Sequence, residues 1–564
     1  MKTTKISHIA HLVEICVQHG ISKVVISPGS RNAPLIIAFD SHPKIETFIV
    51  HDERSAAFFA MGLAEESGNP VAITCTSGSA PINYAPAVSE AYYRSIPILI
   101  LTADRPVELV DQGDGQTIRQ NNLYQNFIKA SFQLPNLPSR AERVLSDKTV
   151  NQALIALHEL PKGPVHINIP LAEPLYENQN LISTPLVQKV AFVKNQLSTI
   201  AKQEIKEGWV NSNKKLLLIG QFKPNALNLT LLKNVLNDPS VAVLVESTAN
   251  LHDFYRVCHC IDRTLAILKP EDIIGLKPDL LISFGGAIIS KKIKTFFRQN
   301  KPKANWRIGT FFFEEDTYQS LSKSYQINPN IFLEFVANIQ YTPNSNYGSQ
   351  WKQKDFLAET KHKLFLENTP FSDLKVFDLI LDTIPSDAKL HMSNSSTVRY
   401  CQLFNPIPGI HYYSNRGVSG IDGSTSTAVG IAVEAKDKLN VLITGDTSFF
   451  YDSNALWNNY LPSNLRIIVI NNGGGGIFKI IDGPNKIEQS NYFVAPFEAK
   501  IKSVAETYSL NYFYANSVQS LETVFEAFYR IANNNRPAIL EVDTQNIANG
   551  QILKDYFASI ALDS

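Results

Sequence analysis

The sequence predicts an α/β protein of three domains, each built on a mostly parallel sheet flanked by helices. Three observations predict it. Short β-branched apolar runs recur along the chain and are near-continuous rather than alternating, as in strands buried on both faces. Helical stretches and Gly, Pro and Ser turns separate them, the alternation that produces crossover connections. At 564 residues the chain exceeds one ordinary core, and polar stretches at Glu177–Ser183 and Pro343–Lys354 read as linkers. The expected domains are 1–185, 186–345 and 346–564.

Taken in order, Ile9, Leu12, Val13, Cys16 and Val17 trace one face of an amphipathic first helix. The first domain's strands are read at Lys23–Ser27, Thr47–Val50, Val71–Cys75, Ile98–Thr102 and Val165–Ile169. Middle strands are read at Leu216–Ile219, Val241–Val245, Leu280–Phe284 and Arg307–Phe312. The third domain opens on a helix near Phe371–Ile384, with strands at Lys389–Met392, Val441–Thr444, Arg466–Asn471 and Ala538–Val542. The first and third regions close alike, on "KGPVHINIPL" (Lys162–Leu171) and "NRPAILEVDT" (Asn535–Thr544). Each is a Pro-led strand after a helix, a faint sign of two related halves.

Charge narrows the function. Lys plus Arg and Asp plus Glu both number 52, so the basic excess expected of a general nucleic-acid or membrane-surface binder is missing. The five cysteines have no metal-finger spacing, which fits a reducing cytosol and a cytoplasmic location. His8, His11 and Glu14 interrupt any secretory apolar stretch. No apolar run approaches the ~18 residues of a membrane span, so no integral membrane segment is expected.

Chemistry concentrates at strand ends. "ITGDTSFFYDSNALW" (Ile443–Trp457) follows a strand and opens a helix, placing Asp446 where open α/β sheets bind ligands. One strand later, "RIIVINNGGGGIF" (Arg466–Phe478) ends in Asn471, Asn472 and the glycines Gly473–Gly476. A carboxylate, an amide and exposed carbonyls are hard oxygen ligands suited to Mg²⁺ with phosphate oxygens. Asp446 alone would read as a turn residue; the pair reads as a metal site.

"GD…NNGGGGIF" resembles the thiamine-diphosphate signature running from GDG to NN, with Thr447 in place of its last Gly. With "SPGSRNAPL" (Ser27–Leu35), "HDERSAAFFAMG", "TSGSAPINYAPAVSEAYY" (Thr76–Tyr93), "LTADRPVEL" (Leu101–Leu109) and "NRGVSGIDGSTSTAVG" (Asn415–Gly430), the chain closely resembles the 2-succinyl-5-enolpyruvyl-6-hydroxy-3-cyclohexene-1-carboxylate synthase family of menaquinone biosynthesis. The likeness covers nearly the whole chain and is thinnest in the middle. It implies pyrimidine-binding, central and diphosphate-binding domains. It also implies Mg²⁺, replaceable by Mn²⁺, on Asp446, Asn472 and the Gly474 carbonyl, with Asn471 the alternative one residue earlier. Asn394, Ser395, Ile477 and Phe478 are carried to the cofactor, and Ile421 to the position beneath its bent ring. Ordinary core packing is the plain alternative for Ile421.

"FIVHDERSAAFFAMGLA" (Phe48–Ala64) sets His51, Asp52, Glu53 and Arg54 between a strand and an apolar helix. Left to itself, Glu53 reads as a first-turn acid favoured by the helix dipole or as a partner of Arg54. The resemblance implies instead that its carboxyl hydrogen-bonds the cofactor's pyrimidine N1′. That needs a carboxyl whose pKa burial raises, here beside Phe58 and Phe59. Asp52 is expected to cap the helix, and His51 to pack at the strand end.

The implied reaction decarboxylates 2-oxoglutarate and adds the resulting carbanion to isochorismate in a 1,4 sense. Both substrates are dianions, for which Arg is suited by its planar fork. Arg31, Arg105, Arg399 and Arg416 fall on loops after strands and match family arginines, with Arg399 and Arg416 also carried into the catalytic set. Ser30, Gln116 and Ser395 match polar contacts, and Lys291 and Lys292 in "ISKKIK" match a basic pair whose plain reading is a solvated helix face. Arg119 reads as an ion-pair residue. Gly115 departs from the family's Asn and leaves Asp114 as the adjoining polar group. The resemblance further implies a homodimer, or dimer of dimers, with each site between chains. Another thiamine-diphosphate decarboxylase or carboligase is the rival; "SFGGAII" (Ser283–Ile289) lacks the G-x-G-x-x-G spacing of a dinucleotide enzyme.

Overall fold

The structure is a computed structural model that describes residues 2–136, 139–180, 184–192, 196–252, 256–480, 487–530 and 535–561. Three parallel sheets organise them. The N-terminal sheet has six strands, Lys23–Ile26, Glu46–Ile49, Val71–Cys75, Ile98–Asp104, Ala130–Gln133 and Val165–Pro170. Ranked along the chain, they lie side by side as 2-1-3-4-6-5. The C-terminal sheet, Lys389–Met392, His411–Tyr413, Asn440–Gly445, Leu465–Asn471, Asn511–Ala515 and Ala538–Asp543, repeats that order strand for strand. The likeness between "KGPVHINIPL" and "NRPAILEVDT" is therefore the sixth strand of each of two equivalent sheets. Between them stands a five-stranded sheet of order 2-1-3-4-5, Lys215–Ile219, Val241–Val245, Leu280–Phe284, Ala304–Gly309 and Lys323–Gln326.

In such sheets the order reverses between the first and third strands, and the crevice there is where ligands bind. In the N-terminal sheet that crevice is flanked by Ser30 and Arg31 on one side and Thr76–Gly78 on the other. In the C-terminal sheet it is flanked by Asn394 and Ser395 and by Asp446. Topology alone thus brings these residues to the ends of the crevice strands.

The two six-stranded sheets share one core. Helix Glu53–Ser67 lies against helix Ser424–Glu434, and Phe58, Phe59 and Met61 pack in a common cluster with Val429, Leu442 and Phe449. Glycines let the helices touch. A Cβ on Gly430 would stand 2.2 Å from the Phe59 carbonyl, and one on Gly62 2.3 Å from the Thr427 carbonyl. Backbone cannot retreat as a side-chain tip can, so Gly430→Ala is expected to cost about 1–3 kcal/mol by overpacking. Denaturant unfolding checks this; an unchanged midpoint would contradict it.

Three readings need correction. The expected linker at Pro343–Lys354 runs into helix Tyr347–Glu367. Its polar residues hide Tyr347 and Trp351, both buried, while Gly348 N donates to the Pro239 carbonyl at 3.0 Å. The strand expected at Arg307–Phe312 is Ala304–Gly309. Phe312 leaves the ladder with φ +46° and stacks on Tyr93 at 5.3 Å, so this apolar run serves a loop contact. Of the first linker, Asn178–Asn180 pairs antiparallel with Lys2–Thr4, and 181–183 lie outside the described residues. The strands missing from the reading include the sheet edges Lys323–Gln326 and His411–Tyr413. Lys323–Gln326 buries only Tyr325, which erases the apolar run.

Burial makes the fold acid-sensitive through histidine. Desolvation lowers His8 and His391 to about 4, and His166 and His362 to about 3. Unfolded histidine titrates near about 6.5. A depressed folded pKa gives stability that is present above the unfolded value and lost as pH falls below it, here from 6.5 towards 4 for His391. His391 Nε2 lies 3.0 Å from Asn440 Oδ1, and Gln can retain that bond. His391→Gln should therefore flatten the acid loss by about 1.4 kcal/mol per pH unit in this window. Parallel stability–pH curves for parent and variant would refute it.

Candidate active site

Asp446 follows strand Asn440–Gly445 and opens helix Asp446–Tyr451. It is buried, and desolvation raises its pKa against the hydrogen bonds it accepts. Its Oδ2 accepts from Gly473 N at 2.9 Å and Gly474 N at 2.8 Å, bringing the glycine loop onto the carboxylate. Gly473 and Gly474 have φ +81° and +117°, which favour glycine. Thr447, the departure from the GDG pattern, donates from N at 2.5 Å and from Oγ1 at 3.1 Å to Asp446 Oδ1. The hydroxyl supplies an anchor that glycine lacks.

Both strand-end asparagines donate through Nδ2 to a carboxylate. Asn471 Nδ2 donates to Glu541 Oε1 at 2.7 Å on the neighbouring strand. Asn472 Nδ2 donates to Asp373 Oδ2 at 2.9 Å, so in both asparagines the amide oxygen remains as the acceptor end. Asp373 is buried and pushed up to about 6, chiefly by desolvation, with the Asp446 charge adding to it. Its other oxygen accepts from Thr544 Oγ1 at 2.6 Å. Sequence reasoning passed over Asp373, the first residue of helix Asp373–Thr383 after its cap Ser372. Asp446, the strand-end asparagine amide oxygens and the Gly474 carbonyl, which accepts from Gly476 N at 2.7 Å, are oxygen donors of the kind that suits a small divalent cation with phosphate. Ile477 and Phe478 follow in helix Ile477–Ile480, with Phe478 5.7 Å from the Phe493 ring.

Glu53 is the first residue of helix Glu53–Ser67, and Asp52 caps it by accepting from Ser55 N at 2.9 Å. Arg54 turns away from Glu53: it donates to the Tyr451 carbonyl at 2.6 Å and lies over that ring. Desolvation raises the Glu53 pKa, and the Asp52 charge adds to the rise. His51 is exposed and stacks on Trp457 at 4.9 Å instead of packing at the strand end. Ile421 is 36% exposed, so ordinary core packing does not account for it. Its carbonyl accepts from Ser448 Oγ at 2.7 Å, and Gly423 nearby has no room for a Cβ against Phe58.

The arginines fall into two pairs. Arg31 is buried, donates to the Leu171 carbonyl at 2.9 Å, and has its pKa lowered by burial and by Arg105. Arg399 and Arg416 adjoin on the C-terminal sheet: burial lowers the Arg416 pKa, and Arg399 adds to that against the pull of Glu246. All four carry a buried Nε with no hydrogen-bond partner among the described residues. Asn394 is committed within the fold, donating to the Asn415 and Gly420 carbonyls and accepting from Arg416 at 2.6 Å. Ser395 holds φ +74° at the start of helix Ser396–Cys401.

Both lysines open helix Lys291–Gln299. Lys291 is exposed, and Lys292 Nζ sits 3.3 Å over the Phe557 ring. Lys294, one turn on, is the one whose charge meets Arg399, Arg416 and Glu246. It shares with Arg416, Arg307 and Lys223 the wall of a cavity of about 590 Å³ at the ends of the middle strands. Gln116 and Ser30 are exposed on first-domain loops, and Gln116 crosses over Gly78, which accommodates it with φ +92°. The buried glutamine is Gln120, which accepts from Gly78 N at 3.0 Å and donates to Asn168 Oδ1 at 3.1 Å. Arg119 forms an exposed ion pair with Asp111 at 2.7 Å, of small energetic weight.

Two parallel sheets with ligand crevices, a carboxylate–glycine loop and a strand-end acid are the arrangement that the resemblance to thiamine-dependent enzymes implies. Accordingly, residues 8–125 match the family model "Thiamine pyrophosphate enzyme, N-terminal TPP binding domain", and residues 395–542 its C-terminal TPP binding domain counterpart. Among curated proteins, the chain is 43% identical over 561 residues to a 2-succinyl-5-enolpyruvyl-6-hydroxy-3-cyclohexene-1-carboxylate synthase of Flavobacterium johnsoniae, covering 99% of each chain. It is 41% identical to that of Christiangramia forsetii, covering 99% of each, and 38% identical to that of Porphyromonas gingivalis, covering 98% and 97%. The chain belongs to the 2-succinyl-5-enolpyruvyl-6-hydroxy-3-cyclohexene-1-carboxylate synthase family.

Proposed function

We propose that the chain decarboxylates 2-oxoglutarate and joins the resulting four-carbon unit to isochorismate, giving 2-succinyl-5-enolpyruvyl-6-hydroxy-3-cyclohexene-1-carboxylate and CO₂. The relatives' shared name supports this, and one observation carries it to this chain: four arginines, Arg31 buried and Arg105, Arg399 and Arg416 half-buried, each with a buried Nε that has no hydrogen-bond partner among the described residues. A site for small neutral acceptors has no use for them; two dicarboxylates do. Thiamine diphosphate, when bound, supplies the carbon nucleophile and the electron sink for decarboxylation.

The chain's residues bind and orient. Asp446, Asn472 and Gly474 would hold Mg²⁺, or Mn²⁺ in its place, and the glycine loop would receive the cofactor's phosphates. Ile477, Phe478, Ser395 and Ile421 would line the cofactor. Glu53 keeps a proton at the pyrimidine N1′. Arg31, Arg105, Arg399 and Arg416 take substrate carboxylates, with Lys294 beside them, and Ser30, Gln116 and Ser395 add polar contacts. The domains are pyrimidine-binding (1–185), central (186–345) and diphosphate-binding (346–564).

A homodimer, or dimer of dimers, in the cytoplasm completes the reading, with Glu53 of one chain serving the Asp446 loop of another. Support comes from apolar side chains left exposed near these loops: Val418 at 53%, Ile421 at 36%, Tyr451 at 51% and Trp457 at 51%. A second copy would cover them. Among the described residues, no helix is long and apolar enough to cross a membrane.

Isochorismate absorbance tests the function. Its loss should require thiamine diphosphate, a divalent metal and 2-oxoglutarate together; activity with pyruvate as sole donor would favour another carboligase. Arg399→Ala should raise KM for one substrate about tenfold or more, the scale of a lost charge-assisted bond, with little change in melting temperature. Unchanged kinetics would remove Arg399 from the site.

A further inference from the structure

Residues 415–421 carry two groups of the proposed site, Arg416 and Ile421, on a segment of irregular backbone. What holds this segment comes from the other sheet. Glu90, in helix Ala85–Tyr93, is 2% exposed. Its carboxylate accepts from three consecutive backbone N–H groups: Gly417 at 2.7 Å, Val418 at 2.6 Å and Ser419 at 3.3 Å. A Cβ on Gly417 would lie 2.7 Å from the Glu90 carbonyl, so the segment is pressed against the helix backbone. Ser419 adopts φ +67°, which the fit to one carboxylate over-determines.

Charge around Glu90 is accounted for. Arg94, one turn on, lies 3.8 Å from it, pairs with buried Glu65, and donates to Asn415 Oδ1 at 3.2 Å. Asn394 holds the carbonyls of Asn415 and Gly420 at the two ends.

We propose that Glu90 is a positioning residue: its carboxylate, seated on the 417–419 amides, sets the conformation in which Arg416 meets a substrate carboxylate and Ile421 meets the cofactor. The inference rests on the functional reading above for the role of Arg416. Both Glu90 carboxylate oxygens are engaged by the 417–419 amides. Three charge-assisted bonds to a buried acid form a strong, directional constraint, and a shift of about 1 Å at an orienting group is enough for large losses of rate.

Glu90→Asp keeps the charge opposite Arg94 and withdraws the carboxylate from the amides. Hydrogen–deuterium exchange on the chain without cofactor reads the clamp directly. Amides of 417–419 should lose protection while helix Glu53–Ser67 and the melting temperature stay near the parent's. Kinetics read its consequence: the substrate KM raised by Arg416→Ala should rise about tenfold in Glu90→Asp, and by less than about threefold more when Glu90→Asp is added to Arg416→Ala. Independent, multiplying effects would mark Glu90 as merely structural and overturn the proposal, as would unchanged protection at 417–419. Should Glu90→Asp not fold, Glu90→Gln, equal in length and uncharged, carries the same pair of measurements. Exchange needs no turnover, so lost protection with a parent inactive on these substrates refutes the functional reading and leaves the clamp standing.

Discussion

Glu53→Gln is expected to bind thiamine diphosphate about as tightly as the parent and to lose about 10²–10⁴-fold in kcat, the usual worth of a positioned acid. Gln has the shape of the acid and can still hydrogen-bond a ring nitrogen. It cannot share a proton with one. The surroundings suit a shared proton: desolvation and the neighbouring Asp52 charge raise the Glu53 pKa, and Arg54, the one adjoining cation in sequence, is directed to Tyr451. Binding is followed by calorimetry and turnover by isochorismate loss. Normal turnover would end the acid role.

Asp446→Asn should abolish metal-dependent cofactor binding. Among Asp446, Asn472 and Gly474 it carries the only formal charge, while Asn keeps an oxygen to accept from Gly473 and Gly474 N–H. The parent should gain about 2.7 kcal/mol of stability at a hundredfold excess of cofactor over its Kd. The variant should show no cofactor-dependent rise in melting temperature, and a parental rise would refute the assignment. The two inactive variants also test the shared site. In a two-fold dimer whose sites take Glu53 and Asp446 from different chains, mixing them regenerates one intact site per hybrid, about a quarter of parental activity after random exchange. Sites built within single chains would stay dead.

The sequence carried what local pattern can encode. The central strands were legible because burial on both faces leaves an unbroken apolar run, as at Val71–Cys75 and Leu280–Phe284, both found as read. Asp52 was legible as a cap because capping is a short-range bond. The helix at Tyr347–Glu367 was not, since its first turns are polar and its buried anchors, Tyr347 and Trp351, are few. Asp373, Gln120, Glu90 and Lys294 were missed for another reason. Each is a polar residue whose meaning lies in a partner far along the chain, Asn472 for Asp373 and the 417–419 amides for Glu90. No spacing announces such a pair. The tertiary fold alone brings them together.

A crystal structure with thiamine diphosphate and Mg²⁺ bound tests the central claim most directly. The account predicts a Glu53 carboxyl oxygen within about 3 Å of the pyrimidine N1′, with the metal between the diphosphate and Asp446, Asn472 and the Gly474 carbonyl. A pyrimidine held away from Glu53, or a metal held away from those three residues, would contradict it.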